Sequence, residues 1–326
     1  MTGSEDWSFS STADEVVKAF QDRVGGRTFL ITGASTQSIG EATAIALASS
    51  PKPPSILILA GRSQEKVLPV VEKVLAISRE VTVIFVPLDL SSQASVEAAA
   101  ERIISDSRVR KIDVLINNAG IMACPYIPSE WNEKDNAPLE QQLAVNYIGT
   151  FLFTSLLATK ILEASPGARI INLSSSGHRF GGIRWDDLGF QGGRVYDAWD
   201  AYGQSKTAII LFTIALAAKY KNLGITTFAV HPGAVMTALG RYMQPEGRAA
   251  VIDRLKTISN FETLQQKSAQ QGCATTLRAA LDPELEEYSG SYMSDCQVAE
   301  QADHAKGVEN AQKLWKLTEQ ILRKSF

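Results

Sequence analysis

The chain alternates between two kinds of segment. Short apolar runs occur at Thr28–Thr32, Ser55–Ala60, Val81–Pro87, Asp113–Asn117, Arg169–Leu173 and Thr226–Val230. Between them lie helical stretches at Ile39–Ala48, Gln64–Ser78, Ser95–Ser105, Leu139–Leu162 and Ala201–Lys221. The runs are apolar throughout, not at every second residue. A strand with one wet face alternates; a strand covered on both faces does not. Strands of this kind alternating with helices imply βαβ units, and so an α/β fold on a single Rossmann-type, doubly wound parallel sheet with helices on both faces. Pro69 lies inside the second helix and is expected to break it. After Gly240 the pattern turns helical, at Thr263–Ala280 and Val308–Leu322, and Ser289–Met293 suggests one more strand. Ser10–Phe20 reads as a short N-terminal helix, with Thr12 and Glu15 in capping-box spacing.

Composition narrows the class. At 45% hydrophobic and 21% charged residues, the chain suits a soluble protein with a sizeable core. A net charge of −3 argues against a nucleic-acid surface, and no Lys/Arg cluster suggests an acidic membrane partner. Cys124, Cys273 and Cys296 are odd in number and far apart, which suits a reduced compartment. The histidines show no metal-ligand spacing. Met1 to Ser11 is polar and acidic with no signal-peptide pattern, and the apolar runs are shorter than a membrane span. No membrane span and a cytoplasmic location are therefore expected.

The stretch between the first strand and first helix, Thr32-Gly33-Ala34-Ser35-Thr36-Gln37-Ser38-Ile39-Gly40, stands where a dinucleotide pyrophosphate binds. Glycines let the backbone approach the phosphates, and the helix N-terminus favours their charge. Gln37-Ser38 occupies the place of an expected glycine; Ser38 adds bulk, and its hydroxyl is also a candidate phosphate donor. After the second strand comes Arg62, where an NAD-binding chain usually carries an acid for the ribose 2′-hydroxyl. A guanidinium there suits the 2′-phosphate of NADP(H), with Ser35, Thr36 or Ser63 as added hydroxyl donors. Tyr202 and Lys206 are four residues apart in Ala-Tyr-Gly-Gln-Ser-Lys, which stacks them on one helix face. A phenol near a cation exchanges its proton more readily, as hydride transfer between a carbonyl and an alcohol requires.

Together these residues resemble the short-chain dehydrogenase/reductases. Asp89-Leu90 is similar to that family's adenine-flanking motif, and Asn117-Asn118-Ala119-Gly120 to its signature after the fourth strand. The resemblance implies that Asn146, in Val-Asn-Tyr-Ile-Gly-Thr-Phe, anchors a proton-relay water. It implies that Ser175 orients the substrate, with Ser174 and Ser176 as neighbouring alternatives, and that Tyr202 and Lys206 are the catalytic pair. Pro232-Gly233, with Val235 and Thr237, resembles the loop that holds the nicotinamide carboxamide and pyrophosphate. The match runs from about Gly26 to Cys296. Ala119–Tyr126, Tyr202–Lys206 and Tyr292–Cys296 look closer to the retinol-dehydrogenase-like branch, whose members often carry an N-terminal membrane anchor of a kind not seen in Met1–Ser11.

The organisation expected is an N-terminal helical extension, 1–25, and a single dinucleotide-binding catalytic domain, 26–326, with a C-terminal helical substrate region. The activity expected is NADP(H)-dependent interconversion of a carbonyl and an alcohol. Tyr202 would be acid or base, Lys206 would lower its pKa and bind the nicotinamide ribose, and Ser175 would hold the substrate oxygen. A non-catalytic NADP-binding regulatory protein on the same fold is the alternative. A Ser/His hydrolase built on His178 or His231 lacks the Gly-x-Ser-x-Gly elbow. Two segments, Ser176–Ala201 with Phe180, Trp185, Phe190, Tyr196 and Trp199, and Ala238–Asn260 with Leu239, Tyr242 and Met243, are expected as segments to line a cleft for a bulky apolar substrate. The apolar Leu139–Leu162 and Ala201–Lys221 fit burial in a homodimer or against the sheet and the C-terminal helices.

Overall fold

The computed structural model describes residues 7–131, 139–242, 251, 254–256 and 265–326. An eight-stranded sheet is the frame. Its strands are β1 (Thr28–Thr32), β2 (Ile56–Gly61), β3 (Thr82–Pro87), β4 (Val114–Asn117), β5 (Arg169–Leu173), β6 (Thr226–His231), β9 (Tyr292–Ser294) and β10 (Gln297–Ala299). A separate pair joins β7 (Ala234–Val235) to β8 (Gln266–Lys267). The order is β10-β9-β6-β5-β4-β1-β2-β3, all parallel except the β9–β10 hairpin. The chain runs outward from β1 on one side and then outward from β4 on the other, so the crevice between the halves opens at the strands' C-terminal ends.

The continuous apolar runs follow from burial on both faces. Leu30, Ile58, Leu115 and Ile170 point to one side, into a core shared with α4 (Gln93–Ser105), α6 (Thr150–Leu156), α8 (Ala198–Tyr220) and α10 (Val308–Leu322). Phe29, Ile31, Leu57, Leu59, Val114 and Ile116 point to the other, against α1 (Ala13–Ala19), α2 (Ile39–Ala48), α3 (Gln64–Ile77) and α9 (Ala269–Leu281). Helix α1 carries the Thr12–Glu15 capping box and packs into this second core through Val16 and Val17.

Four sequence expectations change. Pro69 does not break α3; it deletes one backbone donor, while Val67, Val70 and Val74 hold the helix to the sheet. Leu139–Leu162 is not one helix: α5 (Gln141–Leu143) passes into a π-helical turn, Ala144–Gly149, then α6 and α7 (Ala158–Leu162). The expected strand at Ser289–Met293 is a hairpin, turning at Asp295 (φ 51°) and Cys296 (φ 62°). Both residues are left-handed, as a type I′ turn needs, without the Asn-Gly that announces one. Helix α9 starts at Ala269 behind a Ser268–Gln271 capping box, with Gln266–Lys267 in β8; Thr263 and Leu264 lie outside the described residues.

Among the described residues one segment, Ala198–Leu223, is long and apolar enough to cross a membrane, against the expectation that no run was. Its most apolar window is 83% buried. It is the core helix α8, clasped between sheet and α10. Trp315 of α10 meets Phe151 at 4.7 Å and Phe212 at 6.0 Å, and the Tyr147 hydroxyl lies 2.6 Å from that of Thr318. The apolar faces of α6 and α8 are thus covered by the chain's own C-terminal helix.

Candidate active site

The crevice at the C-terminal ends of the strands is a cleft of about 720 Å³. One end is the β1–α2 turn. Gly33 has φ +70°, and a Cβ there would stand 2.8 Å from Ala119 Cα; one on Gly40 would meet Asn118 Nδ2 at 2.8 Å. Both glycines let the turn close onto Asn118, whose Nδ2 donates to Thr32 O (2.8 Å) and Gly33 O (3.2 Å). Gln37 takes the left-handed conformation (φ 61°) at the place of the expected glycine. Ser38 is the N-cap of α2. Its hydroxyl accepts from Glu41 N (3.1 Å) and donates its one proton to Gly33 O (3.0 Å). The hydroxyl is therefore spent on the loop itself, contrary to the reading of it as a phosphate donor. Ser35, Ser38 and Ile39 line the cleft, and Gly40 stands behind them.

Arg62 follows β2 directly, is exposed and lines the same end, with Lys66 one helical turn on. Neither side chain has an ion-pair or hydrogen-bond partner among the described residues. Asp89 and Leu90 line the adjoining wall, and the Asp89 carboxylate accepts from Ser91 N (3.0 Å) and Ser91 Oγ (2.6 Å). Asn118, Ala119 and Gly120 form the floor, Ala119 N donating to Thr32 Oγ1 at 3.0 Å. Across the cleft run Pro232, Gly233, Val235 and Thr237, tied to the first loop by Ala238 N–H donating to Gln37 O at 3.3 Å.

At the other end Ser175, Tyr202 and Lys206 meet. Helix α8 starts three residues before the expected Ala201 because Asp197 caps it, accepting from Trp199 N and Asp200 N at 2.9 and 2.8 Å. That helix carries Tyr202 and Lys206 on one face, with Lys206 Nζ 5.6 Å from the centre of the Tyr202 ring and donating to Leu173 O at 2.8 Å. Ser175 and Tyr202 line the same end of the cleft, and the Ser175 side chain favours the ionised phenol. Ser174 turns away and donates to Lys206 O (2.9 Å), and Ser176 N donates to His231 Nδ1 (3.2 Å), so Ser175 is the serine beside the phenol.

Burial sets the titration of the pair. It pushes Tyr202 up to about 12, the neighbouring Ser175 side chain opposing it, and Lys206 down to about 8. Desolvation is the largest influence on this tyrosine, which is 3% exposed. Asn146 sits in the π-helical turn and lies behind the wall. Its Nδ2 donates to Ile121 O and Ser205 Oγ, both at 2.9 Å, and its Oδ1 accepts from Ile121 N at 2.8 Å. Both donors go to protein, so the side chain locks the Gly120–Ile121 turn beside Lys206.

A family model described as short chain dehydrogenase matches residues 27–247. The chain belongs to the short-chain dehydrogenases. It is 36% identical over 302 residues to retinol dehydrogenase 12 of Mus musculus, covering 92% of this chain and 87% of that one. Retinol dehydrogenase 11 of Homo sapiens is 36% identical over 91% of this chain and 86% of its own. The short-chain dehydrogenase/reductase prx1 of Penicillium roqueforti is 35% identical over 93% and 87%. These relatives place this dehydrogenase in the retinol-dehydrogenase-like branch. Among solved structures, an uncharacterised protein from Mycobacterium paratuberculosis superposes with a TM-score of 0.67 at 27% identity, covering 93% of this chain and 95% of that one. An NADPH-bound carbonyl reductase from chicken fatty liver shares the fold, with a TM-score of 0.61 at 23% identity over 85% and 100%. Family membership makes the chain an oxidoreductase of carbonyl/alcohol pairs that uses a nicotinamide dinucleotide.

Not every residue singled out in the dehydrogenase's sequence reaches the cleft. Phe180, Trp199 and Leu239 line it. Phe190 is buried beneath Arg184, Trp185 lies under Lys313, and the Tyr196 hydroxyl donates to Cys124 O at 2.7 Å. Tyr242 is stacked by Arg241, and Met243 lies outside the described residues. Val251 and Leu255 also line the cleft and fall in the segment 238–260 that the sequence offered, whereas sequence reasoning missed Lys66 and Met122. Only Lys66 had a signal, its one-turn spacing from Arg62.

Proposed function

We propose that this dehydrogenase is NADP(H)-dependent and reduces bulky, largely apolar aldehydes or ketones, with Tyr202 as general acid. The observation that carries the reading is the shape of the site. One cleft joins Ser175, Tyr202 and Lys206 at one end to Arg62 and Lys66 at the other, two cations unpaired among the described residues. The residues fit a dinucleotide phosphate group: close-packed Gly33 and Gly40 at the start of α2, and two free positive side chains beyond β2. When bound, the nicotinamide supplies the hydride in reduction and takes it in oxidation. Tyr202, protonated at neutral pH, donates its phenolic proton to the carbonyl oxygen as the carbon becomes an alcohol carbon. The Ser175 hydroxyl bonds that oxygen and orients it. Lys206, charged below about pH 8, offsets the phenolate charge as it forms in a site where burial makes the charge costly. In oxidation the same residues take the proton.

The apolar end supports the substrate class. Phe180 meets Trp199 edge-on at 5.7 Å, and Trp199 meets Tyr202 at 6.0 Å, so a continuous aromatic wall leads to the phenol. The test is reduced-cofactor consumption over a panel from acetone and short sugars to large aryl ketones and retinaldehyde. NADPH with the large apolar members should give the highest kcat/KM. Small polar members turning over about ten-fold better reject the substrate class. A Tyr202→Phe variant keeping more than about a tenth of the rate rejects the acid assignment.

A further inference from the structure

His178 is fully buried and has no part in the chemistry just assigned. Its ring is held at both nitrogens. Nε2 accepts the Ala302 N–H at 3.1 Å and so carries no proton. Nδ1 therefore carries one, and donates it to the carbonyl of Ser175 at 2.6 Å. The same carbonyl accepts the His178 backbone N–H at 3.1 Å. The ring's other contact is Tyr292, edge-on at 4.9 Å. Burial drives the imidazole pKa down to about 3, which keeps this neutral tautomer throughout the working pH range.

The turn that His178 grips is the one that carries the reacting hydroxyl. Ser175 Oγ accepts from Gly177 N at 3.0 Å and lies beside Tyr202, a Cβ on Gly177 standing 3.3 Å from that oxygen. Packing there is tight: a Cβ on Gly177 would lie 2.8 Å from Tyr202 Cε1. The segment after β10 grips the same turn from behind, His304 Nε2 donating to His178 O at 2.8 Å and Arg179 Nη2 to Glu300 O at 2.6 Å.

Resting on the acid–base reading above, we propose that His178 is a positioning residue, whose Nδ1–H bond to the Ser175 carbonyl aims the Ser175 hydroxyl at Tyr202 and whose Nε2 anchors that turn to Ala302. A hydroxyl held by one carbonyl bond through a neutral ring responds to the loss of that bond in the chemical step. Arg62 and the phosphate loop, at the far end of the cleft, do not.

The test uses the full chain with His178→Asn and His178→Gln. Asparagine places an N–H where Nδ1–H stands; glutamine places its amide at Nε2 and loses the donor to Ser175. With NADPH and the most rapidly reduced member of the panel, His178→Asn should stay within about three-fold of wild-type kcat/KM, and His178→Gln should lose about ten-fold or more. The NADPH Kd should stay within about two-fold in both. Adding His178→Gln to Ser175→Ala should cost no more than Ser175→Ala alone, because the histidine acts through that hydroxyl. Equal activity of the two variants, or additive losses in the double variant, overturns the proposal. If His178→Gln does not fold, a loss of about ten-fold in a His178→Asn protein of wild-type melting temperature overturns it, and retained activity supports it. Tyr202→Phe separates the two readings. A fully active Tyr202→Phe overturns the acid assignment itself, whereas an inactive one with an additive cycle overturns only the role of His178.

Discussion

Replacing Arg62 by alanine should reduce the preference for NADPH without harming NADH. The guanidinium stands at the end of β2, exposed, and without a partner among the described residues, so its removal breaks no contact of the fold. A charge-assisted phosphate contact is worth about 1.5–3 kcal/mol, and solvent exposure puts this one in the lower half of that range. The expected loss of NADPH affinity is therefore roughly ten- to thirty-fold. Lys66, one turn on, keeps a point charge near the same place, so Arg62→Ala should retain part of the preference and Arg62→Ala with Lys66→Ala should lose it. Titrating NADPH and NADH by quenching of tryptophan fluorescence measures both Kd values, Trp199 lying in the cleft. NADH affinity should move by less than about two-fold. Equal wild-type affinities for the two dinucleotides, or a variant that weakens both alike, would refute the reasoning.

Other outcomes follow from the same geometry. Ser38→Gly should weaken cofactor binding little, because the hydroxyl bonds Gly33 O and not the cleft, while Ser38→Ala should cost about 1 kcal/mol of stability as a lost N-cap; a ten-fold loss of cofactor affinity in Ser38→Gly would make the hydroxyl a ligand. Glu140 is buried beside Tyr196 and caps α5, its carboxylate accepting from Gln142 N and Leu143 N, and burial raises that carboxyl from 4.5 to about 7. A raised folded-state pKa stabilises below about 4.5, and that stability is lost as pH rises through about 7. Glu140→Gln should therefore gain on wild type between pH 5 and pH 8, by up to ~3 kcal/mol, and an equal melting-temperature difference at both pH values would contradict this. Trp315→Ala should cost about 3 kcal/mol, read by denaturant midpoint, and open an aromatic face on α6 and α8. Because α10 covers that face in the intact chain, wild type should sediment as a monomer; a stable wild-type dimer through α6 and α8 would exclude the arrangement.

The sequence by itself determined the sheet and the residue types at its crevice. Continuous apolar runs mark strands buried on both faces, and a four-residue step on α8 places Tyr202 over Lys206; both are local periodicities that one stretch of chain carries alone. Gly33, Asn118 and Arg62 were legible for the same reason, since each sits at the end of a strand it follows directly. Tertiary structure decided the rest through contacts between residues far apart in sequence. Desolvation by the surrounding fold raises Tyr202, and no spacing encodes that burial. The π-helical turn forms around Asn146, whose side chain is bound to Ile121, 25 residues earlier. Of three adjacent serines, Ser174 is taken by Lys206 O and the Ser176 N–H by His231, while Ser175 packs beside Tyr202 around Gly177. The apolar surface of α6 and α8 suits a second chain as well as its own C-terminus, since burial is non-directional; that Trp315 packs on Phe151 is visible only in the fold.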